Sequence, residues 1–295
     1  MQQNENFSIF NISDAESARF RRIVLDVMTK ACTIPDDEYD GIGRLSEKQM
    51  HAAIKCYICP DERCHEVKID TGSTDKTDGT DGSAASEGKK RKTRKFVADI
   101  LRDGTIYEIQ TGSFSPLRQK IKWILENTDY NIVLVHPIAE QKWISTISRD
   151  GRIVGQRKKS PQKGSLRDLA GELYFISEFI PSPRFSLVIL MVEGEQYRKN
   201  IAKEGARARY RKYELIPTSL LRAHIFRCVE DYLAFIPDDL PDLFTVKDFS
   251  AKSKIYGIDA YSIVKSLCSL GLLEQSGNIG RAAAYKKVPF LSKST

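Results

Sequence analysis

Asp99 and Glu108, in FVADILRDGTIYEIQTGSF, are the residues whose types and spacing speak most directly of chemistry. Between them, Asp103-Gly104 is a two-residue turn signal flanked by β-branched and apolar runs. Such a turn sets Arg102 opposite Thr105, Leu101 opposite Ile106, Ile100 opposite Tyr107 and Asp99 opposite Glu108. Both carboxylates then leave one face of the sheet about 5 Å apart. Gln110, two residues beyond Glu108, points the same way. Like charges face to face destabilise a sheet, and the apolar neighbours predict a central, buried hairpin. Unpaired buried carboxylates are costly, and a bound cation relieves them. The pattern therefore points to a Mg²⁺ (or Mn²⁺) site; a solvent-facing pair with a raised pKa or an arginine partner is the alternative.

The surrounding chain must supply elements to hold that hairpin. A helix from about Ser46, its N-cap, runs through SEKQMHAAIKCYI and puts Glu47 and His51 on one face. HEVKID reads as a strand. After the hairpin, Ser115-Pro116 opens a helix whose stripe is Phe114, Leu117, Ile121, Ile124 and Leu125, and which carries Arg118 and Lys120. NIVLVHPI and QKWISTIS read as two strands joined by a tight connection. This order predicts an α/β domain with a mixed central sheet flanked by helices, over residues 45–150.

Around that domain the chain is less regular. Residues 1–44 read as an extension whose amphipathic helix, 14–31, packs on the core or mediates a homodimer. Residues 71–94, rich in Gly, Ser, Thr and Asp, read as a disordered insertion ending in the basic run KKRKTRK, a solvated tail or a phosphate contact. Residues 151–217 form a basic connecting region. Within it GQRKKSPQKG is a loop, LRDLAGELYFISEFI a helix and FSLVILMVEGEQY a strand. ARARYRKYELI returns as a strand with Arg207, Arg209 and Arg211 on one face, either a solvated edge or a nucleic-acid contact. Over 218–295, LRAHIFRCVEDYLAFI, FTVKDFSAKSK and DAYSIVKSLCSLGLLEQ read as three helices, followed by a hairpin turning at SGNIGRAA. That order spells a winged helix-turn-helix, in which Tyr261, Lys265 and Arg281 would face DNA. Winged helices also serve in protein contacts alone.

The 295 residues, 41% hydrophobic and 29% charged, are ample for a sizeable core and suggest two domains. A net charge of +7 and a pI near 9.0 favour polyanionic partners. No stretch approaches the ~20 apolar residues of a membrane span, and the N-terminal residues lack the pattern of a signal peptide. The expectation is a cytoplasmic protein with no membrane partner and reduced cysteines.

With Asp99, Glu108 and Gln110 in place, the chain resembles the PD-(D/E)XK nuclease superfamily, in its E-x-Q variant as in CoiA-type competence nucleases. SEKQMHAAIK, EV, VADI, EIQT, LRQKI and LVHPIAEQKWI also resemble, in order, an uncharacterised bacterial family with a C-terminal winged helix. That likeness runs from about Leu45 to the end, omitting 71–94. The resemblance implies a restriction-endonuclease-like fold with Asp99, Glu108 and the Ile109 carbonyl as metal ligands. Glu47 would support the site, and Gln110 would stand where the superfamily has lysine. Gln can orient a water but cannot neutralise charge, so Arg118 or Lys120 would supply the cation.

Cys56, Cys59, Cys64 and His65 offer a second ligand set, of zinc type, in CYICPDERCH; free thiols are the alternative, favoured by the absence of paired CxxC knuckles. Taken together, the sequence predicts a metal-dependent DNA endonuclease with a DNA-binding winged helix. A non-catalytic nuclease-fold DNA-binding protein or a transcriptional regulator is the alternative.

Overall fold

The computed structural model describes residues 7–32, 45–69, 96–148, 152–202 and 207–289, with the backbone alone at 30–32 and 45–48. The insertion 71–94, the run KKRKTRK and residues 33–44 lie outside the described residues. Seven strands among those described form one mixed sheet: β1 (His65–Ile69), β2 (Phe96–Arg102), β3 (Thr105–Ile109), β4 (Asn131–Ile147), β5 (Ile153–Lys159), β6 (Phe185–Asn200) and β7 (Tyr210–Phe226). Their order is β1-β2-β3-β4-β6-β7, with β5 beside the outer half of β4. β3, β4 and β6 run parallel, while β1, β2, β5 and β7 pair antiparallel with their neighbours.

Helices cover both faces, which is why β3 is buried along its whole length. On one face α1 (Asp14–Cys32) and α2 (Leu45–Ile58) bring Phe20, Ile54 and Tyr57 onto Tyr107, Ile109, Val135 and Leu190. On the other, α3 (Arg118–Asn127) brings Ile121 and Ile124 onto Ile106, Leu134 and Ile189. The β2–β3 turn has φ of 48° at Asp103 and 71° at Gly104, the double positive φ of a type I′ hairpin.

Several sequence expectations are corrected. α2 starts at Leu45, so Ser46 lies in its first turn. Phe114, not Ser115, caps the 3₁₀ turn Ser115–Leu117 that leads into α3. NIVLVHPI and QKWISTIS are one strand, β4, with an irregularity between Ala139 and Gln141. Pro137 stands beyond the last β3 pair, Ile109–Val135, on an edge where its missing N–H disrupts no ladder. GQRKK is not loop but part of β5. LRDLAGELYFISEFI breaks into a 3₁₀ turn, Leu166–Leu169, and a single turn α4 (Leu173–Ile176). At Gly171 between them, a Cβ would stand 2.5 Å from Asp259 Oδ1, so a side chain there would push the Asp259 carboxylate aside. LRAHIF is the end of β7, held by pairing from Met191–Arg222 to Leu187–Phe226, and Arg207 and Arg209 precede that strand.

The C-terminal part comprises a 3₁₀ helix Val229–Phe235, β8 (Phe244–Thr245), α5 (Val246–Ser253), α6 (Gly257–Ser269), β9 (Leu273–Ile279) and β10 (Ala282–Lys287). The three strands form a small sheet in the order β8-β10-β9. Thr245 caps α5 with Asp248 in a reciprocal box, and Gly271, at φ 73°, follows α6. Phe244, Phe249, Ile263, Leu267 and Tyr285 share one core with Ile176, Phe185 and Ile189. The boundary expected at 217/218 falls inside β7. No helix among the described residues is long and apolar enough to cross a membrane.

Candidate functional site

The hairpin adopts the expected register, Ile100–Tyr107, Leu101–Ile106 and Arg102–Thr105, and β1 adds His65–Ile100 and Val67–Ala98. The next row across the three strands is Glu66, Asp99 and Glu108. Regular pairing lapses there. Asp99 Oδ2 accepts the Ile109 N–H at 2.8 Å, and Glu66 has φ of 51°.

Each carboxylate of this row meets its own cationic or ring nitrogen. His51 Nε2 lies 3.1 Å from Asp99 Oδ2, Lys55 Nζ 3.0 Å from Glu66 Oε1, and Lys120 Nζ 2.5 Å from Glu108 Oε1. His51 and Lys55 are one turn apart on α2, and Lys120 is in the first turn of α3. With Gln110, Thr111 and Leu117, these groups line a cleft of about 700 Å³ at the carboxyl end of β3. Crevices at carboxyl strand ends are the usual ligand sites of α/β sheets.

Glu108 is 2% exposed. Burial pushes its carboxyl up to about 7, the Asp99 charge adds to the rise, and Lys120 opposes it. The Lys120 ammonium rests on Oε1 and also donates to the Val97 carbonyl. Burial raises Asp99 too, but His51, the Ile109 N–H and Lys120 prevail and hold that carboxyl below its ordinary range. Two neighbouring carboxyls are thus driven apart, one toward the neutral acid and one toward the anion.

The turn behind the site is tied down. His136 Nδ1 lies 2.5 Å from the Gln110 carbonyl and its ring meets Phe114 edge-on at 5.1 Å. Glu172 accepts from the Phe114 N–H at 2.7 Å and the Ser113 hydroxyl at 3.0 Å. The Gln110 amide donates to the Ser113 carbonyl, which bends it back over this turn.

Asp99, Glu108 and Gln110, which spacing set together, line one cleft with Ile109 and Lys120, which only the resemblance had added. The Glu47 side chain lies outside the described residues. Arg118 turns instead to Glu178, at 2.5 Å. Arg207, Arg209 and Arg211 project near the start of β7. Lys265 lies over the Tyr261 ring on α6 at 5.5 Å, and Arg281 sits at the β9–β10 turn. Sequence reasoning missed Lys55 and Glu66; the four-residue spacing of Glu47, His51 and Lys55 was a usable signal for the first.

Asp99 and Glu108 in one cleft fit the oxygen donor set of Mg²⁺, a hard cation that takes one or two carboxylates and keeps water or phosphate as its other ligands, although Lys120 already rests on Glu108 Oε1. No three His, Cys, Asp or Glu side chains among the described residues converge on one point. Cys56, Cys59 and Cys64 form no disulfide, and His65 Nε2 faces the Cys59 carbonyl at 2.8 Å.

Residues 83–227 match a domain of unknown function, DUF8091, a span that ends with β7. An uncharacterized protein of Treponema pallidum (strain Nichols) is 23% identical over 252 residues, covering 84% of this chain and 88% of that protein. No solved structure matches.

Proposed function

We propose that the chain is a metal-dependent DNA endonuclease with a restriction-endonuclease-like α/β core and a C-terminal winged helix. The observation that carries this reading is the convergence of Asp99, Glu108 and Lys120 in one cleft. Asp99 and Glu108 would hold Mg²⁺ or Mn²⁺, which when bound polarises a phosphate and lowers the pKa of a water. Lys120 brings the positive charge that Gln110 lacks to the place where phosphate charge develops. His51, which lines the cleft with Nε2 3.1 Å from Asp99 Oδ2, would be the group there to take a proton from an attacking water. In the C-terminal part, α6 with Tyr261 and Lys265 and the β9–β10 turn with Arg281 would approach duplex DNA.

A second reading is a nuclease-like DNA-binding protein or regulator that does not cut. The pairing of Glu108 with Lys120 and Asp99 with His51 favours it, because both carboxylates already have partners without a metal. Calorimetric titration of the full chain with Mn²⁺ tests the first reading. Binding that Asp99→Ala and Glu108→Ala each abolish supports it; no binding, or binding that survives both, favours the second.

A further inference from the structure

Past its last pair with β3, β4 runs on beside β6, and β5 and β7 flank the two, so four strands project as an arm. From Lys142 to Ile147 the arm reaches about 20 Å. All seven residues of β5 are exposed, as are 207–212 at the start of β7, so no core explains these strands. Their side chains are overwhelmingly basic: Lys142, Arg157, Lys158 and Lys159, then Arg198, Lys199, Arg207, Arg209, Arg211 and Lys212. The described acids of the arm are turned inward. Glu193 accepts from the Trp143 indole at 2.6 Å, Glu195 binds the Ser145 hydroxyl and Arg157 at 2.6 Å each, and Glu214 is half-buried.

Aromatic rings stiffen the array. Arg157 lies 4.0 Å over Trp143, and Arg198 lies 4.1 Å over Tyr210. Protection of a sheet edge accounts for Lys158 and Lys159 on β5, but not for Arg198 and Lys199. Those two sit on β6, which is paired on both sides. Lys158, Lys199, Arg211 and Lys212 have no acidic partner among the described residues. Lys199 and Arg211 stand directly across from each other.

We infer that this arm grips the phosphate backbone of duplex DNA and supplies much of the chain's affinity for it. The inference rests on the DNA-binding half of the proposed function and not on cutting. Neutralising Z phosphates gives log K a slope of about −0.9Z against log salt. The test is a fluorescence-anisotropy titration of a labelled duplex at several salt concentrations. It compares wild type with the full-length combination Lys158→Gln, Lys159→Gln, Lys199→Gln and Arg211→Gln.

The combination should weaken binding about tenfold or more and flatten the slope by about three to four, at an unchanged melting temperature. Equal affinity and slope in the combination overturn the arm, even where wild type cuts DNA. Wild type that prefers single strands, or binds no duplex, overturns it as well. Arm-dependent binding by a wild type that never cuts leaves the arm standing and removes the nuclease.

Discussion

Glu108 is the residue whose state governs the cleft. Its carboxyl is raised from 4.5 to about 7 by burial, so the folded chain keeps a proton there that the unfolded chain has lost. Stability from this group is therefore full below 4.5 and falls as pH rises toward 7, by roughly 3 kcal/mol in all. Asp99, depressed below 3.8, has the opposite sign, and its contribution is lost only in stronger acid. Glu108→Gln should thus match wild type near pH 4.5 and melt increasingly above it up to pH 7.5; parallel pH profiles would contradict this. Lys120→Met should move the Glu108 titration higher still, because the ammonium opposes the rise, and carboxyl NMR reads that directly. Asp99 and Glu108 were legible in the sequence because an Asp-Gly turn fixes a register and a register fixes which side chains meet, whereas Lys120, on α3, came only from the resemblance, as one of two candidates with Arg118. Glu66 was not, since its place in the row depends on pairing with β1 and on a positive φ at a residue that rarely adopts one.

The hairpin and the strand connections impose their own tests. Gly104, at φ 71°, has open space where a Cβ would go, so Gly104→Ala meets only backbone strain and should cost about 1 kcal/mol. At Gly164 a Cβ would stand 2.6 Å from the Ala139 carbonyl oxygen. Backbone cannot step aside as a side chain does, so Gly164→Ala should cost about 2–3 kcal/mol. Urea midpoints at constant m-value rank the two, and the reverse order would contradict the packing. Short elements with strong local signals, such as β3 and α3, were readable from periodicity. NIVLVHPI and QKWISTIS read as two strands because the open edge that admits Pro137 within β4 is a tertiary fact, and LRAHIF read as helix because its long pairing with β6 overrides local spacing.

At the scale of the molecule, the C-terminal part completes the core of the sheet: Phe244, Phe249 and Ile263 pack in the cluster that holds Ile176, Phe185 and Ile189. A chain ending at residue 227, where the family match stops, would expose that surface. It should aggregate or melt without cooperativity, and a cooperative calorimetric transition would contradict the shared core. The sequence separated the two parts because each has its own periodicity, and only tertiary packing joins them. The proposed function places a cutting site at Asp99 and Glu108. It is tested most directly by incubating supercoiled plasmid with wild type and Asp99→Ala in Mn²⁺ and in EDTA, beside melts of both proteins. Wild type should nick the plasmid in Mn²⁺ and not in EDTA, while Asp99→Ala stays folded and silent. Nicking that survives Asp99→Ala would put the active site elsewhere, and a folded wild type that binds the plasmid and never nicks it would rule out a nuclease.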